Sequence, residues 1–142
     1  MIASRLNLRN VKWITDDKVH SLENVKIDIA DFFVKSDNNN FLQLLLSTKI
    51  ILVEGTSEYL LLPKLYHQIT ERTIEDDKIT IISCNGISYN NYLDIAKELD
   101  KRIAVIIDND KKPERIEDAI KFNEANENHH IFTGNSIEDE WT

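Results

Sequence analysis

KIILVEGTSEYLLL, residues 49–62, decides the fold. Residues 49–53 form a short continuous apolar run, the pattern of a strand buried on both faces. Gly55-Thr56 then turns the chain, and residues 57–69 read as a helical stretch. A strand that hands directly to a helix is the first half of a βαβ unit. Pro63 lies inside the helical stretch, so a kink or two short pieces are expected in place of one straight helix.

Outward from this stretch the same alternation repeats. KITIIS (78–83) is the next strand, and Asn85-Gly86 is a strong turn signal. Ser88 suits an N-cap, after which Tyr92, Ile95, Ala96 and Leu99 fall on one helical face. RIAVII (102–107) is a third strand. Pro113 suits the first turn of a helix whose apolar face is expected to be Ile116, Ala119 and Ile120. HHIF (129–132) is a fourth, weaker strand, and the polar residues 123–128 read as a surface connection. The expected class is α/β, with a central, mainly parallel sheet of about four strands flanked by helices and joined by right-handed crossovers.

Residues 1–48 read differently. Residues 10–14 suit a strand, 25–33 are mixed, 36–40 (SDNNN) are a polar break, and 41–46 suit a short helix leading into the first strand. The segment carries no catalytic constellation and reads as a tail or linker from a preceding domain. The α/β domain is expected over 49–142. The abrupt end at Trp141-Thr142 reads as a C-terminal truncation of that domain.

The bulk composition agrees with one ordinary domain. The chain has 142 residues, 42% hydrophobic and 30% charged, with only 3 Gly and 2 Pro to support loops. Its single cysteine, Cys84, excludes an internal disulfide framework and a Cys-based zinc finger, and fits a reducing cytoplasm. No signal peptide or membrane span is visible. The net charge of −8 is unusual for a chain that would meet nucleic acid, since phosphate contact ordinarily calls for basic surface. An acidic domain acting on such a polymer must hold cations or borrow basic surface from elsewhere.

Three acidic features fall just beyond strand ends, where open α/β sheets gather functional groups. Glu54 follows KIILV directly. Glu58 lies four residues on, in the opening turn of the helix, and can face the same edge. Asp108 and Asp110 follow RIAVII and, if the segment is extended, point to one side. Parallel pairing would put Glu54 and Asp108 on neighbouring strand ends. Carboxylates packed this closely repel unless a cation neutralises them. Their hard oxygens suit Mg²⁺ or Mn²⁺ over zinc. A pair of such ions roughly 3.5–4 Å apart stabilises the attacking and leaving oxygens of a phosphodiester cleavage. One acid at one strand end is usually only solvated; three features together, each behind a buried strand, favour a site.

These residues resemble the Toprim domain shared by topoisomerases, bacterial primases and several nucleases, with its Glu after the first strand (VEG, 53–55) and its later DxD (108–110). The flanks ILVEGTSEYLLLPKL (51–65), ISCNGISYNNYLDIA (82–96) and AVIIDNDKKPE (104–114) look like the Toprim half of OLD-family ATP-dependent endonucleases. IASRLNLRNVKWI (2–14) is similar to the stretch that closes the ATPase domain of those proteins. The resemblance implies a Rossmann-like Toprim domain over 49–142, behind the C-terminal tail of an ATPase domain in 1–48. It also implies metal-dependent cleavage of DNA, often in anti-phage defence. Glu54 would bind metal and act in proton transfer. Glu58 matches the second Glu of VEGxxE, Asp108 and Asp110 the DxD, and Gly55 the close turn.

The family has another acid after the fourth strand. Glu138 is the candidate, with Asp139, Glu140 or a residue beyond 142 as alternatives. A basic residue used farther downstream has no counterpart here. No GxxxxGK loop is present, so ATP would act only through a domain absent from this chain. DNA, the ATPase domain and a second copy in a homodimer are the implied partners, and a membrane is not.

Other polar residues have simpler readings. His129 and His130 lack metal-ligand spacing, His67 reads as surface, and Cys84 as a small buried hydrophobe. Lys111 and Lys112 read as solvated, and Ser57 and Ser88 as helix caps. Two other function classes compete with cleavage. One is a non-catalytic Toprim module for metal binding, dimerisation or regulation; the other is a primase- or topoisomerase-type nucleotidyl transfer. A response-regulator phosphoacceptor is disfavoured, because the first strand ends in Glu-Gly and not in two adjacent acids.

Overall fold

The computed structural model describes residues 8–14, 18–35, 38–85 and 88–134. A 3-10 turn at Leu8–Asn10 leads to a hairpin of β1 (Lys12–Ile14) and β2 (Val19–Ser21), then to helices α1 (Ile27–Lys35) and α2 (Asn38–Leu46). The α/β part follows as β3 (Lys49–Val53), α3 (Thr56–Thr70), β4 (Ile79–Ser83), α4 (Tyr89–Glu98), β5 (Arg102–Asp108), α5 (Pro113–Glu124) and β6 (His129–Gly134). The four later strands make one sheet in the order β4-β3-β5-β6, and every pair in it is parallel. The expected α/β architecture is therefore present.

Period-2 alternation divides the sheet residues between two layers. Ile50, Leu52, Ile82, Ile103, Val105 and Ile131 face one side, where they share a core with α1, α2 and α4. Val53 and Ile81 face the other, together with Ile51, Ile79 and Ile106, and meet Leu62 and Tyr66 of α3. Tyr92, Ile95, Ala96 and Leu99 are all buried, as their helical spacing requires. Residues ahead of β3 belong to this core. Leu22, Val25, Ile29, Phe33, Phe41 and Leu44 sit in the same cluster as the sheet, and the Phe33 ring meets Tyr92 edge-on at 5.1 Å.

Three expectations need correction. The helix through Pro63 is one continuous element and not two short pieces. Proline removes the N–H that would bond the Tyr59 carbonyl, but no residue of this surface helix is buried, so water can satisfy that carbonyl. The expected apolar face of α5 is also rotated. Ala119 is buried, but Ile116 and Ile120 are 39% and 53% exposed. Asn123 explains this: its amide donates to the Ile131 carbonyl at 2.8 Å and its Oδ1 accepts the Ile131 N–H at 2.7 Å. That two-way grip on β6 turns residues 115, 119 and 122 inward. Residues 38–40 of the expected polar break are the start of α2, where Asn40 donates to the Ser83 carbonyl at 3.0 Å.

His129, at the start of β6, is buried, and its Nε2 has no hydrogen-bond partner among the described residues. Burial holds its pKa below the ordinary 6.5. The unfolded chain therefore takes up this proton at higher pH than the folded one, and stability falls as pH drops through and below about 6.5. Thermal melts between pH 7.5 and 5 should show this decline, and His129→Phe should flatten it. An equal slope in both proteins would contradict the assignment.

Candidate functional site

The site is built at the carboxyl ends of β3 and β5. Val53 pairs with Ile106, so Glu54 stands one step beyond the ladder beside the last residues of β5. Its Oε2 accepts the Asp108 N–H at 3.2 Å. Glu54 and Asp108 thus sit side by side across two neighbouring parallel strands. Asp108 is itself the last residue of β5, since β6 continues alongside it to Gly134.

Asp110 is placed differently from the extended geometry expected of it. The backbone leaves the strand at Asn109 and passes through left-handed conformations at Asp110 (φ 50) and Lys111 (φ 59). Two consecutive non-glycine residues there cost of order 1–2 kcal/mol each. Asn109 holds the turn. Buried, it donates its N–H to the Gly134 carbonyl at 2.9 Å, and its Oδ1 accepts the Lys111 N–H at 2.8 Å. Asp110 is then caught by an arginine that the sequence reading passed over. Arg115 Nη1 lies 2.7 Å from Asp110 Oδ2 and donates to the Asp108 carbonyl at 3.0 Å. Its signal was position: residue 115 opens the helix that begins at Pro113, directly behind the DxD loop.

Glu58 faces the same edge but is also engaged. Its Oε2 accepts the Gly55 N–H at 3.0 Å, so it caps α3 from the third helical position. The N-cap is Gly55, which leaves Ser57 inside the helix. Gly55 has φ −134, an extended value open to any residue. A Cβ there would stand 3.1 Å from Glu58 Oε2, the far end of a side chain, which would have to give by a few tenths of an ångström.

Beside Glu54 a cavity of about 500 Å³ opens between the start of α4 and α5. Ile107, Phe122 and Ile131 make its apolar part, and Arg115 and Asp118 line it from α5. Cys84 is in its wall. Burial, and then the charge of Glu54, push the thiol up to about 12. It stays protonated at neutral pH and offers neither a nucleophile nor a thiolate ligand. Ellman's reagent at pH 8 should leave Cys84 unlabelled in the native protein and label it fully in urea. Rapid native labelling would show the burial to be wrong.

The four described acids are brought to one edge but do not converge as they stand. Among the described residues, no group of three or more His, Cys, Asp or Glu side chains is arranged to hold a metal ion. Glu54 and Asp108 are adjacent, Glu58 is turned to Gly55, and Asp110 to Arg115. Glu138, like Asp139 and Glu140, lies outside the described residues. The donors are carboxylate oxygens with no available thiolate, which fits a hard divalent cation by chemistry. For Asp110 or Glu58 to join them, each must first leave its present partner, Arg115 or the Gly55 N–H.

An all-parallel α/β sheet with Glu54 and the Asp108-Asn109-Asp110 turn on adjoining strand ends is consistent with a Toprim fold. Residues 45–110 match the family described as overcoming lysogenization defect protein-like, TOPRIM domain, and this part of the chain is an OLD-like Toprim domain. No curated protein and no solved structure matches the chain. No helix among the described residues is long and apolar enough to cross a membrane.

Proposed function

We propose that this chain is the metal-dependent DNA-cleaving domain of an OLD-family ATP-dependent endonuclease working in the cytoplasm. The observation that carries this reading is the contact of Glu54 with the Asp108 N–H across β3 and β5, within a stretch that matches the OLD-like Toprim family. In this reading Glu54 and Asp108 bind the cation, and Glu54 also moves the proton of the attacking water. Asp110 and Glu58 join as ligands after leaving their present partners, and Glu138 or a neighbour completes the set. Mg²⁺ or Mn²⁺, as two ions, supplies the charge neutralisation that lets an acidic chain approach a phosphodiester. ATP acts through a preceding ATPase domain whose C-terminal tail is residues 1–48, a second copy forms a homodimer, and anti-phage defence is the setting.

A second reading is a non-catalytic Toprim module for regulation or dimerisation. It is favoured by the engagement of Asp110 and Glu58, both of which already have partners within the chain. Plasmid nicking by the full-length protein with Mn²⁺ or Mg²⁺ decides between the two. Nicking that disappears in Glu54→Ala and Asp108→Ala supports the nuclease. Nicking unchanged in both variants excludes this site as its source, and none in the parent favours the module.

A further inference from the structure

Arg115 pairs with one of the candidate acids and spans both halves of the DxD. One guanidinium nitrogen reaches Asp110 Oδ2 and the Asp108 carbonyl together. The same side chain lines the cavity that Glu54 borders. Both partners of the ion pair remain partly open, at 38% and 50% side-chain exposure, so the pair can separate without unpacking the core. A divalent cation drawn to Asp110 meets a like charge already on that carboxylate. The two compete for one ligand.

We propose that Arg115 is a counter-ion which a divalent cation displaces from Asp110, and that the freed guanidinium binds a phosphate of the nucleic acid substrate. The inference rests on the metal-dependent reading above. It has a clear chemical logic. Metal loading neutralises the acids and in the same step releases a planar, permanently charged fork suited to phosphate oxygens. In a chain of net charge −8 this provides positive charge at the cleavage edge only when the site is loaded. Asn109 keeps the turn in place during the exchange, because its bonds to Gly134 and Lys111 do not involve Arg115.

The test is a calorimetric titration of Mn²⁺ into the full-length protein and its variants, with far-UV circular dichroism to confirm equal folding. Arg115→Ala should bind Mn²⁺ about two- to five-fold more tightly, the range expected for losing an exposed ion pair. In an Asp110→Asn background the same substitution should change nothing. Arg115→Lys should keep near-parental Mn²⁺ affinity. With Mn²⁺ present, binding of a labelled DNA duplex by Arg115→Ala should weaken, and its slope of log affinity against log salt should fall by about one. Unchanged or weaker Mn²⁺ binding in Arg115→Ala overturns the competition, and an unchanged salt slope overturns the phosphate contact. Failure of this inference is distinct from failure of the nuclease reading. If the parent takes up Mn²⁺ and loses nicking in Glu54→Ala, only the role of Arg115 is lost; if neither the parent nor Arg115→Ala takes up Mn²⁺, both are.

Discussion

Glu54→Gln is expected to lower metal-dependent cleavage by at least about 100-fold while leaving the fold intact. Substitutions merely behind a metal ligand cost about 10–100-fold, and a ligand itself should cost no less. The glutamine keeps an oxygen to accept the Asp108 N–H, now met at 3.2 Å, so the junction between β3 and β5 retains its hydrogen bond. What it removes is the negative charge that a cation needs. Glu54 is exposed, and the substitution relieves repulsion in an acidic chain, so the thermal midpoint should hold or rise slightly. Nicking rate, Mn²⁺ titration and a melt on one preparation check all three. Cleavage within ten-fold of the parent would show that Glu54 is not in the reacting centre.

Lys101→Met should produce the largest loss of stability, about 2–4 kcal/mol by urea unfolding. Lys101 is 6% exposed, and its Nζ donates to the Leu45 carbonyl at 2.7 Å and the Ser47 carbonyl at 2.5 Å. These carbonyls close α2, where the last turn of a helix has no donors of its own and carries partial negative charge. The ammonium also lies 5.2 Å from the Trp13 ring, which ties the N-terminal hairpin to the start of β5. Methionine fills most of the volume but leaves two carbonyls without their donor, each costing about 1–3 kcal/mol. Part of that is returned, because burial disfavours the charged lysine and lowers its pKa. A loss below about 1 kcal/mol would mean that water replaces the ammonium.

Much of the fold was legible because buried parallel strands write themselves as apolar runs. Residues 49–53, 79–83 and 102–108 form strands close to where those runs stand, and the face through Tyr92 and Ile95 follows from helical period alone. The rotation of α5 was not legible. Apolar residues occur on two adjacent faces of that helix, and the choice is made by Asn123 gripping Ile131 eight residues away. Nor did composition show that Leu22, Phe33, Phe41 and Leu44 share a core with the sheet, since packed and unpacked segments use the same leucines and phenylalanines; the contact of Phe33 with Tyr92 is set by the tertiary structure.

The stretch KIILVEGTSEYLLL determined by itself that a buried strand hands over to a helix, and that Glu54 and Glu58 occupy the edge between them, because period and turn chemistry are local properties. Which acidic residues become neighbours, and which are already taken, was decided only in three dimensions. The parallel pairing of β3 with β5 brings Asp108 to Glu54 across a separation of 54 residues. The left-handed turn after Asn109 then swings Asp110 to Arg115. Hydrogen bonds and ion pairs depend on distance and direction between atoms, and those are set by the packed backbone.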